Sequence, residues 1–310
     1  MNRYLDLTPE VKAALDANRP VVALESTILS HGMPYPENLA FAHEVEEIVR
    51  KNGAVPATIA VLNGRLKVGL GEEDLALMCR GEGVAKVSRR DLPVVLSKGI
   101  PGATTVATTM LIASMAGIRV FATGGIGGVH RGAPKTFDIS ADLQELAHTS
   151  VAVVCAGAKS ILDIGLTLEY LETMGVPVLG YQTEHFPAFY SRESGFSADV
   201  RVDSAREAAD ILDKKWSLGM DGGVIIGNPV PEDCALDFSE MEKVTREALA
   251  AAEAADVRGK RITPFLLAYI KDHTGGESLK TNIRLAFHNA EVASQIAVEY
   301  AALQHTARSL

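Results

Sequence analysis

Short, largely apolar runs recur along the chain, as VVAL at 21–24, ATIAVL at 57–62, IRVFA at 118–122, VAVVCA at 151–156, VPVLGY at 176–181 and GGVIIG at 222–227. Runs with no polar alternation predict strands covered on both faces, the pattern of a mainly parallel sheet between helices. Between them, apolar residues return every three or four positions. Leu39, Val45, Ile48 and Val49 form such a stripe within 36–51, closed by Asn52-Gly53. Further helices are predicted over 9–17, 72–80, 141–147, 160–174 and 203–216. Thr8-Pro9 opens the first, Ser140 caps the third, and Ser204 with Glu207 reads as a capping box for the last. Asn63-Gly64 between two β-rich runs predicts a tight hairpin, so the sheet is mixed. Residues 101–105 read as a glycine-containing turn that opens an apolar helix reaching Ala116, and 182–196 as a loop. The last third is helical, over 239–255, 262–271 and a final helix with Leu279, Ile283, Ala286, Ala290, Ala293 and Ala297 on one stripe. Asn282 and Asn289 share another face of it. The expectation is a three-layer α/β/α fold with a central mixed, mostly parallel sheet and a helical C-terminal region, a single domain over residues 1–310.

Composition sharpens this only at the margins. Apolar residues make up 47% of the chain but aromatics only 5%, so the core is aliphatic. The net charge of −9 argues against a nucleic-acid backbone as partner. Cys79, Cys155 and Cys234 are few, widely spaced and odd in number, and read as reduced and buried. The N-terminal segment lacks a signal-peptide apolar core, and no run approaches the roughly 20 apolar residues of a membrane span. A cytoplasmic protein with no membrane partner is expected.

Candidate chemistry concentrates at 124–163. Gly124, Gly125, Gly127 and Gly128 follow a predicted strand and allow close approach of backbone to a ligand. Their order fits neither G-x-G-x-x-G nor GK[ST], so dinucleotide and nucleoside-triphosphate binding have no support here. Lys159 follows the next apolar run. It reads either as an amine made nucleophilic by desolvation, or as a phosphate-binding or salt-bridged lysine. Glu25 ends a run that is otherwise wholly apolar, which makes its carboxylate an acid, a base or half of an ion pair. Asp138 and Asp142 lie four apart, with Ser140 as the cap between them. One hard-metal carboxylate with waters, or a helix-dipole role for Asp142, both fit. Lys86 stands in a basic turn with Arg89 and Arg90, as a solvated cation or an oxyanion contact. His31 and His130 are loop residues with polar roles open.

Taken in order, ALEST, SHGMPYPEN, GAVPATIAVLNG, KVSRRDLP, GATTVATTM, FATGGIGGVHRGAPKTFDISADLQEL, VCAGAKSILD, GYQTEHFPAF, TPFLLAYI and SLKTNIRLAFHNA resemble the pseudouridine-5'-phosphate glycosidase family, related to indigoidine synthase A, over nearly the full length. The resemblance implies reversible cleavage of the C–C glycosidic bond of pseudouridine 5'-phosphate to uracil and ribose 5-phosphate. It implies that Lys159 forms an imine with C1′ and that Glu25 donates a proton as the ribose ring opens. It places Mn²⁺, or another divalent cation, on Asp138. Substrate contacts are implied at Lys86, Val106, Ser140, Ala141 and Asp142, with His130 and Asn289 added to the site. A small-molecule substrate and a homotrimer follow from the same resemblance. An imine-forming lyase acting on another sugar phosphate and a non-catalytic phosphosugar-binding module are the competing readings.

Overall fold

The computed structural model describes residues 2–257 and 259–308. The apolar runs become strands β1 (Leu5–Leu7), β2 (Val21–Leu24), β3 (Val55–Leu62), β4 (Arg65–Val68), β5 (Ala85–Val87), β6 (Gly102–Thr104) and β7 (Val120–Ala122). Later in the chain come β8 (Val129–His130), β9 (Ala152–Cys155), β10 (Leu162–Asp163), β11 (Val178–Tyr181), β12 (Val200–Val202) and β13 (Val224–Gly227). Among the described residues eleven strands make one sheet in the order β1-β4-β3-β2-β7-β9-β13-β11-β12, with β5 and β6 joined to it through β3. Within this sheet, among the described residues, only the β3–β4 and β3–β6 pairings are antiparallel, and Asn63 (φ 52°) with Gly64 (φ 69°) makes the hairpin turn between β3 and β4; β8 and β10 form a separate antiparallel pair. The mixed, mostly parallel sheet is therefore as the periodicity predicted.

Helices α1 (Pro9–Asp16), α2 (Glu37–Lys51), α3 (Glu72–Arg80), α4 (Leu92–Lys98), α5 (Val106–Ala116), α6 (Ala133–Thr136) and α7 (Ala141–His148) precede α8 (Ile164–Thr173), α9 (Ala205–Ser217), α10 (Phe238–Ala254), α11 (Ile262–His273) and α12 (Glu277–Arg308). They cover both faces of the sheet. The last helix lies across β2, β7 and β9 with α2 and α9 beside it, while α5 packs on β2, β3 and β4 and against α7. Ala286, Ala290, Ala293 and Ala297 are all buried, so small side chains let α12 approach the sheet closely. None of the described helices is long and apolar enough to cross a membrane.

Three local readings change. Residues 102–104 form the strand β6 rather than a turn. Gly102 lies flat against its neighbours, where a Cβ would stand 2.5 Å from Cγ2 of Val87, so the missing side chain admits a strand. The helix expected from 160 starts at Ile164 because Asp163 Oδ1 accepts from Leu166 N at 3.0 Å and because Leu162 pairs with His130. Within the loop after Glu25, Ile28–Gly32 winds into a π-helical turn. Cys79 and Cys155 are buried and free, and burial pushes the Cys155 thiol up to about 12. Cys234 is also free but only half-buried.

Candidate active site

Parallel register sets the site. Leu24 pairs with Ala122, and Ala122 with Val154, so β2, β7 and β9 end side by side. The residues that follow, Glu25, Thr123 and the segment up to Lys159, emerge at the same edge, where open α/β sheets place ligands. Glu25 and Lys159 border a cleft of about 960 Å³. Of the residues singled out from the sequence, Glu25, Lys86, Val106, His130, Asp138, Ser140, Ala141, Asp142 and Lys159 all line it.

Glu25 is 8% exposed, and Thr123 Oγ1 donates to its Oε1. Burial raises its pKa, against the lowering effects of the Lys159 charge and the Thr123 hydrogen bond. The carboxyl therefore keeps its proton to higher pH than an exposed glutamate. Lys159 is half-buried on a tight turn in which its N–H donates to Ile126 O at 3.1 Å and its C=O accepts from Leu162 N at 3.0 Å. The glycine segment runs alongside, with Ile126 N donating to Gly157 O. Gly157 has φ +85°, and a Cβ there would meet Pro187 O at 2.0 Å, so glycine is required at the turn.

Asp142 joins three segments. Its Oδ1 accepts from Ala107 N at 2.9 Å and its Oδ2 from Gly127 N at 2.8 Å. Ser140 Oγ accepts from Asp142 N at 3.2 Å as the α7 cap. The first turns of α5 and α7, carrying Val106 and Ala141, thereby meet at the cleft wall, where backbone N–H groups favour an anion. Arg89 and Arg90, beside Lys86, also border the cleft. Arg89 Nη1 donates to Oε2 of the fully buried Glu145 at 2.6 Å, so this arginine neutralises a buried carboxylate as well.

His130 and Asp138 face each other at 3.9 Å, and His130 N donates to Asp138 O at 3.0 Å. Burial lowers the His130 pKa; Asp138 opposes this, and Lys86 and Lys159 add to it. Asp138 keeps 44% of its side chain exposed. Among the described residues no group of three or more His, Cys, Asp or Glu is placed to hold a metal. The donor set is thus one accessible carboxylate beside an imidazole, which fits a hydrated hard cation that keeps most of its waters.

Asn289 does not line the cleft. It is fully buried behind the strand ends, where Nδ2 donates to Thr123 O at 2.8 Å and Oδ1 accepts from Asn228 Nδ2 at 2.9 Å. One helical face holds both asparagines, but it is Asn282 that reaches the open space. With His31 it borders an inner pocket of about 50 Å³ that also touches Glu25, Lys86 and Lys159. The seven-residue spacing on α12 marked the face, but nothing in the sequence tells which amide meets the strand ends and which meets the pocket. Thr123, the partner of Glu25, carries no signal in the sequence, where it reads as an ordinary strand residue.

The chain matches the family described as indigoidine synthase A like protein over residues 10–299. It is 61% identical over 299 residues to a pseudouridine-5'-phosphate glycosidase of Caldanaerobacter subterraneus subsp. tengcongensis, covering 96% of this chain and 97% of the relative. An Escherichia coli K12 protein of the same name is 60% identical over 297 residues, covering 96% and 95%. Among solved structures, the prealnumycin C-glycosynthase AlnA, in complex with ribulose 5-phosphate, superposes with a TM-score of 0.92 at 39% identity, covering 99% of this chain and 100% of that one. An indigoidine synthase A-like protein from Thermotoga maritima gives 0.88 at 34% identity, covering 97% and 98%. The chain belongs to this indigoidine synthase A-like family and is an enzyme of the pseudouridine-5'-phosphate glycosidase type.

Proposed function

We propose that this enzyme cleaves the C–C glycosidic bond of pseudouridine 5'-phosphate, with Lys159 as nucleophile and Glu25 as proton donor. The observation that carries the reading is their convergence. An amine and a buried carboxyl with a raised pKa come from the ends of β9 and β2 into one cleft. A C–C glycoside has no linking oxygen or nitrogen to protonate, so the two-carboxylate departure of ordinary glycosidases does not serve. In the proposed route the Lys159 amine attacks C1′ while the C1′–O4′ bond breaks and the Glu25 proton passes to O4′. The nitrogen gives up a proton and C5 takes one up; the C1′–C5 bond breaks with its electron pair staying on the base, and the nitrogen lone pair completes a protonated imine at C1′. Water hydrolyses the imine, and uracil, ribose 5-phosphate and free Lys159 result.

The converging N-terminal turns of α5 and α7, with Lys86, would hold the phosphate and sugar hydroxyls. Asp138 would hold Mn²⁺, which when bound supplies positive charge to orient anionic substrate. Glycosidases among the relatives and a C-glycosynthase among the structural neighbours support chemistry at a carbon–carbon glycosidic bond. The neighbour's bound ribulose 5-phosphate also gives weight to an imine-forming lyase acting on another sugar phosphate.

Mass-detected conversion of pseudouridine 5'-phosphate, with Mn²⁺ and after chelation, separates these. Uracil and ribose 5-phosphate are expected, with activity lost on chelation and an adduct on Lys159 recovered after borohydride reduction. Cleavage of acyclic phosphosugars with indifference to uracil would favour the lyase; full activity without metal would remove Mn²⁺ from the scheme; an equal adduct in Lys159→Ala would remove the nucleophile.

A further inference from the structure

The inner pocket shares walls with two separate clefts. On one side Glu25, Thr27, Lys86, Lys159 and Thr263 are shared with the main cleft. On the other, His31, Gly32, Pro264, Leu267 and Asn282 are shared with a groove of about 270 Å³. That groove runs between the Ile28–Gly32 turn and α11, past Met33, Ala268 and Lys271, and has no lining residue in common with the main cleft. At the junction stand two buried polar atoms without a hydrogen-bond partner, His31 Nε2 and Asn282 Oδ1. Buried groups of this kind call for a polar partner that arrives with a ligand. Ile28, Phe189, Pro264 and Leu267 supply apolar wall, with Phe189 packed on Gly125, where a Cβ would come within 2.6 Å of Cδ2.

A planar ring with alternating N–H and C=O groups along its edge matches these two atoms and these walls. Resting on the function proposed above, we infer that the pyrimidine occupies the inner pocket with His31 Nε2 hydrogen-bonded to its edge, and that it leaves through the groove beside α11 while the sugar phosphate stays in the main cleft. Separate routes suit the chemistry, because the sugar is covalently held when the base is released and fills the side by which the substrate entered.

The test uses enzyme reduced with borohydride in the presence of ribose 5-phosphate, which fixes the sugar phosphate in the main cleft, with uracil as the probe. Wild type is expected to bind uracil in this state. Ala268→Trp, an exposed position on the groove, is expected to slow uracil association and dissociation about tenfold with little change in Kd. His31→Ala is expected to weaken uracil Kd about tenfold, the size expected for one lost hydrogen bond. Trapped wild type that fails to bind uracil, or two variants that match it, overturns the inference while leaving the glycosidase reading intact. A response from one variant alone overturns the half that the silent variant tests. No adduct in wild type overturns the glycosidase reading, and this inference with it.

Discussion

Glu25 shows how one residue's environment assigns its role. A carboxyl closed off from water and hydrogen-bonded to Thr123 sits beside the Lys159 cation, yet burial outweighs both neighbours and raises its pKa above the usual 4.5. The protonated form is the one able to give a proton to the ring oxygen. Consequently kcat/KM is expected to fall as pH rises through this raised value, and the limb should vanish in Glu25→Gln, whose residual kcat/KM is lower by about 10²-fold or more. A pH profile of both proteins checks this; a wild-type profile without a falling limb would remove Glu25 as the acid. The sequence exposed Glu25 because a carboxylate closing an apolar run is conspicuous. It could not reveal Asp142 in the same way. The sequence shows a helix-start aspartate, but the two N–H groups its oxygens accept lie 35 and 15 residues away, on other segments. Long-range partners of that kind leave no local pattern.

At the scale of elements, periodicity located most strands and helices, because their burial is fixed by runs and stripes that the sequence displays directly. What it misread were segments decided by contact rather than pattern. Gly102–Thr104 is a strand because a side-chain-free residue fits against Val87, and β8 and β10 exist because two turns meet. The glycine segment was legible as a place of close approach, though not what approaches it. In the structure it is the protein's own α7 start: a Cβ on Gly127 would lie 2.2 Å from Ser140 Oγ and 2.6 Å from Asp142 Oδ2. Gly127→Ala must push the α7 cap away from the loop, breaking the Gly127 N–H to Asp142 bond. Thermal unfolding should show a loss of about 1–3 kcal/mol, with KM raised as the α5 and α7 turns separate. An unchanged melting temperature and KM would mean that the two segments are not locked together.

At the scale of the whole molecule, the cleft carries an apolar rim. Phe137 is 83% exposed and Ile139 36% exposed, on either side of Asp138 at the cleft rim. Large exposed apolar side chains at a site's edge suit contact between copies; the homotrimer implied by the family resemblance predicts a light-scattering mass of three times 33.0 kDa, and a monomer mass would reject it.

Inside, α12 reaches the site twice, and its two asparagines make opposite predictions. Asn289 gives both ends of its amide to backbone and side chain, holding Thr123 O and Asn228 in place, with no surface toward the cleft. Removing it leaves a buried C=O unsatisfied directly behind the residue that hydrogen-bonds Glu25. Asn289→Ala should therefore lower stability by about 1–3 kcal/mol and reduce kcat through a displaced Glu25. Asn282 has an Oδ1 with no partner to lose, facing the inner pocket. Asn282→Ala should leave the melting temperature near wild type and act on substrate affinity instead, raising KM about tenfold. Measuring melting temperature, kcat and KM for the pair distinguishes the two. If Asn289→Ala were as stable as wild type and changed KM alone, the helix would be contributing a ligand contact there, and the division between the site and its support would have to be redrawn two turns further along α12.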